Sequence, residues 1–103
     1  DYEDYVKKYG PWFSEEPAHK AMAMVGMFFE GIGVLLYKKL IGISLTYDLF
    51  CTPIRLCWEK FKPIPEGLRK QYNDPTIFEH FEYLFNEMQK REQKLQSQTI
   101  SSM

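Results

Sequence analysis

The stretch Met24–Lys39, "MVGMFFEGIGVLLYKK", decides the fold. It holds one carboxylate, Glu30, three glycines, Gly26, Gly31 and Gly33, and two lysines that close it; Tyr37 apart, the rest is apolar. A helix apolar nearly all round belongs at the centre of a small protein. Its ends are marked: Ser14 offers a cap, Glu15 and Glu16 suit the amide end, Pro17 is tolerated in a first turn, and Lys38 and Lys39 suit the carbonyl end. The spacing predicts one long helix from Glu15 to Lys39.

At about 100° per residue, Ala21, Phe28, Phe29, Ile32, Leu35 and Leu36 share one broad face, which is expected to be core. Beside it run His19, Ala23, Gly26, Glu30, Gly33 and Tyr37, and Met24, Met27, Gly31 and Val34 take the remaining side. Gly26 and Gly33 cost up to about 1 kcal/mol each in helix propensity, which fits a groove for a crossing helix. Glu30 lies in that groove, and a carboxylate withdrawn from water needs a cation or several donors. The expected partners are Arg55 or Arg69, with the hydroxyl of Tyr37, two turns above on the same stripe, or of a neighbouring tyrosine.

Towards the N-terminus, Tyr2, Tyr5, Val6 and Tyr9 fall on one face of a short helix that stops at Gly10-Pro11. Towards the C-terminus, "LIGIS" reads as a turn with Gly42 left-handed and Ser44 capping a short helix from Leu45 to Phe50. Thr52 and Pro53 predict a break or sharp kink, after which Ile54, Cys57, Trp58 and Phe61 share a face. A short helix from Pro65 ends near Tyr72, and Asp74-Pro75 opens a last helix striped by Ile77, Phe78, Phe81, Leu84, Phe85, Met88 and Leu95. Glu87 and Arg91 add an i, i+4 pair. From Gln96 the chain is too polar to order itself, so residues 1–95 form one domain and 96–103 a disordered tail. The fold class is all-α: a compact bundle of four to five helices around one long central helix.

With 103 residues, 45% of them hydrophobic, the chain has enough apolar matter for one core and too little length for two. A formal net charge of −1 gives no field that would gather nucleic acid. Cys51 and Cys57, six apart on a helix, point about 240° apart and cannot pair with each other. Unpaired thiols in apolar blocks fit a reducing, cytoplasmic setting. The longest uncharged run in the opening stretch, Ala21 to Phe29, falls short of the about 20 residues needed to cross a bilayer, so this segment is expected not to span.

The blocks "FFEGIGVLLYKKLIGISLTYDLF", "WEKFKPIPEGLR" and "FEHFEYL" resemble the prokaryotic family called domain of unknown function 4760. The resemblance runs from about Phe28 to Leu84, with Trp58 where members often carry paired tryptophans and Cys57 departing from that pattern. It implies an all-helical domain with no assigned activity and, in many members, an apolar membrane anchor ahead of the domain. Any membrane contact would then come through a segment upstream of Asp1.

No constellation of catalytic or cofactor-binding residues emerges. His19 and His80 lack an i, i+3 or i, i+4 ligand partner, so no metal is expected, and the glycines lie inside a helix without the strand or Lys-Ser pair of a phosphate loop. Glu79, His80 and Glu82 read as a solvated face, and "SLTYDLF" offers no cation to DNA. Lys60, Lys62, Arg69 and Lys70 read as a solvated rim, able to meet anionic headgroups if an anchor precedes them. The sequence therefore points to a non-enzymatic helical interaction module, in the cytoplasm or tethered to a membrane, that binds a protein partner or itself. Its expected interface is Met24, Met27, Gly31 and Val34, and its expected form a homodimer. The alternative is an apolar small-molecule or lipid pocket between the long and last helices, lined by Met24, Met27, Phe28, Phe81, Phe85 and Met88.

Overall fold

The periodicities resolve into five helices in the computed structural model, which describes residues 2–9 and 17–102. They are α1 (Tyr2–Tyr9), α2 (Pro17–Tyr37), α3 (Ile43–Phe61), α4 (Pro63–Tyr72) and α5 (Glu79–Ser102), with no strand among the described residues. The fold is all-α, as its sequence predicts. The segment 10–16, with the Gly10-Pro11 stop and the Ser14 cap, and the side chains of Tyr5, Tyr9 and His19, lie outside the described residues.

Between α2 and α3 the chain reverses through a left-handed residue, and that residue is Lys39 (φ 62°), not Gly42. The Leu40 amide donates to the Leu35 carbonyl at 2.9 Å and the Lys39 amide to Leu36 at 3.0 Å, the paired bonds of a Schellman turn. Those bonds offset the cost of a non-glycine residue there, roughly 1–2 kcal/mol. Gly42 instead caps α3 in extended backbone (φ −84°, ψ 152°), and the buried Thr46 hydroxyl donates to its carbonyl at 2.8 Å. Ser44 is therefore inside the helix.

No break occurs at Thr52, for α3 runs unbroken past Pro53. Proline removes the bond to the Leu49 carbonyl, but Leu49 and Pro53 both face solvent, which offsets the loss by leaving that side of the helix open to water. The next helix starts at Pro63, earlier than expected, because a proline in the first turn has no amide to waste. It ends at Tyr72 with Asn73 left-handed (φ 51°) in a second Schellman turn, Asp74 amide to Arg69 carbonyl at 3.0 Å.

The last helix starts later than Asp74-Pro75 predicts. Asp74 accepts from the amide and hydroxyl of Thr76 (2.9 and 2.7 Å) and closes a turn, and Phe78 is left-handed (φ 55°), so helical backbone begins only at Glu79. From Gln96, where a disordered tail is expected, helical backbone continues to Ser102, with residues 96–99 exposed. Lengthening a formed helix adds a backbone bond with each residue it fixes, so polar composition alone does not end it.

The core joins Phe29 and Leu36 of α2, Ile54, Trp58 and Phe61 of α3, Ile64 and Leu68 of α4, and Phe81, Leu84 and Met88 of α5. Phe81 is its hub, with Trp58, Phe29 and Phe61 at ring centroid distances of 5.0, 5.3 and 5.4 Å. Burying each such ring contributes about 1.5–3 kcal/mol. The main helical packing is of α5 against α2 and α3, while α1 packs on α4, where the Tyr2 ring covers Gly67.

The buried side of α2 is rotated from its broadest apolar face. Gly26, Phe29, Gly33 and Leu36 are buried, whereas Ala21, Phe28 and Leu35 are exposed. A Cβ on Gly33 would overlap the His80 carbonyl, and one on Gly26 would crowd the rings of Phe61 and Phe78. Close approach of backbone, available only along the glycines, outweighs apolar area in setting the rotation.

Candidate functional site

A helix that begins at Glu79 after a phenylalanine lacks the side-chain oxygen that normally receives its first amides. Glu30 of α2 supplies it from across the groove. Its Oε1 accepts from the backbone amides of His80 and Phe81 at 3.1 and 2.9 Å, and its Oε2 lies 2.8 Å from His80 Nδ1. The Glu79 amide donates to the Thr76 carbonyl at 3.1 Å, so the amides of residues 79, 80 and 81 all have acceptors. A carboxylate at the amide end of a helix also meets the favourable end of its dipole.

Neither arginine expected beside Glu30 is there. Arg69 donates through Nε to the Ile77 carbonyl at 2.8 Å and through a terminal nitrogen to Glu82 at 2.7 Å, holding the turn into α5. Arg55 lies 3.9 Å from Glu92. Tyr37 turns its ring, edge to face, to His80 and Tyr83, each at 5.4 Å. Likewise Glu87 meets Lys90 at 3.6 Å, and no ion pair joins it to Arg91 among those described. Both arginines are engaged at α5 or the turn into it, Arg55 by Glu92 and Arg69 by Glu82 and the Ile77 carbonyl. His80 is the residue that sequence reasoning missed; the missing cap at Phe78 was its signal.

Tyr37, Glu79, His80 and Tyr83 line a shallow cleft of about 260 Å³ over this junction. Burial, and then the charge of Glu87, raise the Tyr83 hydroxyl pKa, so it stays protonated. Burial likewise pushes the Cys51 thiol up, with the Glu92 charge adding to it, which makes it a poor nucleophile. Among the described residues no three His, Cys, Asp or Glu side chains gather as a metal would need. The Glu30 carboxylate spends its hydrogen bonds on the start of α5.

The residues expected to line an apolar pocket are not brought together. Phe81 and Met88 are buried in the core and Phe85 is half-buried, but Met24, Met27 and Phe28 are 73%, 65% and 53% exposed on the other side of α2. With exposed Gly31 and half-buried Val34 they leave an apolar strip facing outward. Leu45, Leu49 and Leu56, at helical spacing on α3, are exposed as well. Phe28 meets Phe50 across the α2–α3 hairpin at 6.1 Å, and Ala21, Val25, Cys57 and Lys60 line a groove between the two helices of about 190 Å³. The outer side of the hairpin, away from α5, is thus an apolar face built by both helices.

A model of the family described as "Domain of unknown function (DUF4760)" matches residues 1–88. The chain belongs to that family. No curated protein and no solved structure matches it. The match covers α1 to α4 and reaches Met88, the last buried core residue of α5, so the DUF4760 segment includes every residue of the core. Within this DUF4760 domain, Lys20–Tyr37 is long and apolar enough to cross a bilayer by length and composition, with mean hydropathy 1.4. Counting uncharged residues alone, a run broken at Glu30, did not show this. A mostly buried core helix passes the same test, but only 22% of this window is buried: Glu30 and Gly33 dock one side of α2 onto α5 and leave the other side exposed.

Proposed function

We propose that this DUF4760 domain is a non-enzymatic interaction module that works through the outer face of its α2–α3 hairpin. One observation carries the reading: six large apolar side chains, Met24, Met27, Phe28, Leu45, Leu49 and Leu56, are 49–73% exposed on two adjacent helices. A monomeric protein rarely leaves a contiguous apolar patch of more than a few hundred Å² in water unless something docks there. The carboxylate best placed for chemistry, Glu30, is engaged in capping α5, which supports a structural assignment for the polar junction. Two free, half-buried cysteines fit a reducing, cytoplasmic compartment.

Photo-crosslinking tests the reading. A photoreactive residue at position 27 or 49 of the full-length protein in cells is expected to form adducts, while one at the exposed Lys94 position on α5 forms none. Equal adducts at all three positions would overturn it.

A further inference from the structure

We infer that the cleft between the end of α2 and the start of α5 binds a small methylated ammonium compound, with Glu79 facing its charge and the rings of Tyr37, His80 and Tyr83 around its methyl groups. This site lies apart from the outer face of the hairpin and needs nothing docked there.

The charges at the cleft favour a cation. The Glu30 carboxylate takes two backbone amides and His80 Nδ1, and because an ionised carboxylate only accepts, Nδ1 donates. That bond fixes the imidazole and leaves Nε2 as the acceptor of the neutral ring, with no hydrogen bond to it among the described residues. Glu79 is 50% exposed and comes no nearer than 4.0 Å to the same Nδ1, too far for a hydrogen bond. Lys38 and Lys39, next along the chain from Tyr37, do not line the cleft, and none of the described ion pairs joins them to Glu79. Burial and then the charge of Glu87 hold the Tyr83 hydroxyl in its neutral form, so the surrounding field is negative as well.

Shape selects the kind of cation. His80 and Tyr83, three positions apart, share a face of α5, and the Tyr37 ring of α2 stands across from them at 73° and 86°, with both centroids 5.4 Å away. Rings set near right angles make a corner around a rounded head, whereas a planar guanidinium stacks on a single ring. A bare ammonium is strongly hydrated, and a shallow cleft with one carboxylate and one imidazole acceptor does not replace that water. A methylated ammonium has little hydration to lose and meets the ring faces directly. At about 260 Å³ the cleft takes such a head but falls below the roughly 300–1,000 Å³ of sites for drug-sized ligands.

Titration of the isotope-labelled whole chain with choline chloride, followed by NMR, tests this, with thermal melts of each variant alongside. Saturable shifts centred on Tyr37 and residues 79–83 are expected, with a Kd on the order of 1 mM. The uncharged analogue of choline, with a tert-butyl group for the trimethylammonium head, should bind about tenfold or more weakly. Tyr37→Leu should weaken choline binding about fivefold or more and Tyr37→Phe should not, since the ring is the wall; at 58% exposure neither change threatens the fold. Glu79→Gln should weaken it about two- to fivefold. Shifts that do not saturate below about 50 mM, or equal binding of the uncharged analogue, overturn the ammonium site. Choline binding untouched by both Tyr37→Leu and Glu79→Gln overturns this cleft as its place. Phosphatidylcholine vesicles carry the same head on a lipid: a chain that floats with them, loses this with Tyr37→Leu and is not saturated by choline overturns the free compound as ligand.

Discussion

Two glycines two positions apart in α2 have opposite surroundings. Gly33 is buried, and its missing side chain lets the backbone of α5 come so near that a Cβ would overlap the His80 carbonyl; Gly31 is exposed and a Cβ there would touch nothing among the described residues. The inner side of α2 is therefore fixed by backbone contact and by the Glu30 cap, while on the outer side Met24, Met27 and Gly31 stay exposed and Phe28 alone reaches a ring of α3, that of Phe50. Hydropathy alone does not separate them, since both sides are apolar and both carry glycine. What separates them is whether another part of the same chain fills the notch.

The sharpest way to break this contrast is Gly33→Ala. One methyl group would have to push α5 from α2 or distort one of them, and we expect a loss of about 3 kcal/mol, read from the midpoint of urea unfolding. An unchanged midpoint would show that the close approach is not what sets the rotation of α2.

Glu30→Ala comes next. It removes the acceptor of two first-turn amides and the partner of His80, at an expected cost of about 2 kcal/mol. Glu30→Gln keeps a carbonyl oxygen to accept from those amides and should cost about half as much. If the glutamine variant were as damaging as alanine, a charge partner rather than the cap would be the main role of Glu30.

That cap also marks where the sequence stops being legible. The apolar stripes of α2, α3 and α5, the packing use of Gly26 and Gly33, and the presence of Glu30 in a groove all follow from residue spacing, because they depend on one helix at a time. The identity of the partner does not, because backbone amides carry no sequence signature and Phe81 is fifty-one positions away from Glu30. Arg55 and Arg69 were the visible cations, and each is drawn off by a carboxylate on α5. Pro53 inside α3 and Lys39 in the left-handed region were hidden for a related reason. Local preference forbids both mildly, and solvent on one side or a pair of turn bonds on the other is enough to override it. The outward strip was legible as a surface from Met24, Met27 and Gly31, though Phe28 and Leu35 belong to it rather than to the core.

Gly31→Ala should act in the opposite direction to Gly33→Ala. With open space around it, alanine gains up to about 1 kcal/mol of helix propensity in the single chain. The gain is to be measured at sub-micromolar concentration, where association adds nothing. A loss there would mean that the outer notch is filled from within the chain.

The smallest effect sharpens the contrast at the other end of the α2–α5 junction, where an exposed carboxylate does locally what Glu30 does from across the groove. The bonds from the Thr76 hydroxyl and amide hold the Asp74 carboxyl below its ordinary value. A group whose folded pKa is depressed contributes stability that is present above its unfolded pKa and is lost as pH falls through the folded one. Between neutrality and the ordinary carboxylate range, Asp74 therefore supports the turn that leads into α5, and below that range the support disappears. Asp74→Asn should flatten the acid limb of the stability profile slightly and leave the slope near pH 7 untouched, because no proton is exchanged there. The effect is small since the group is exposed and water competes for both bonds. An acid limb identical in the variant would mean that the turn is held without Asp74, by Arg69 between the Ile77 carbonyl and Glu82, and that the start of α5 is fixed by the carboxylate reaching over from α2.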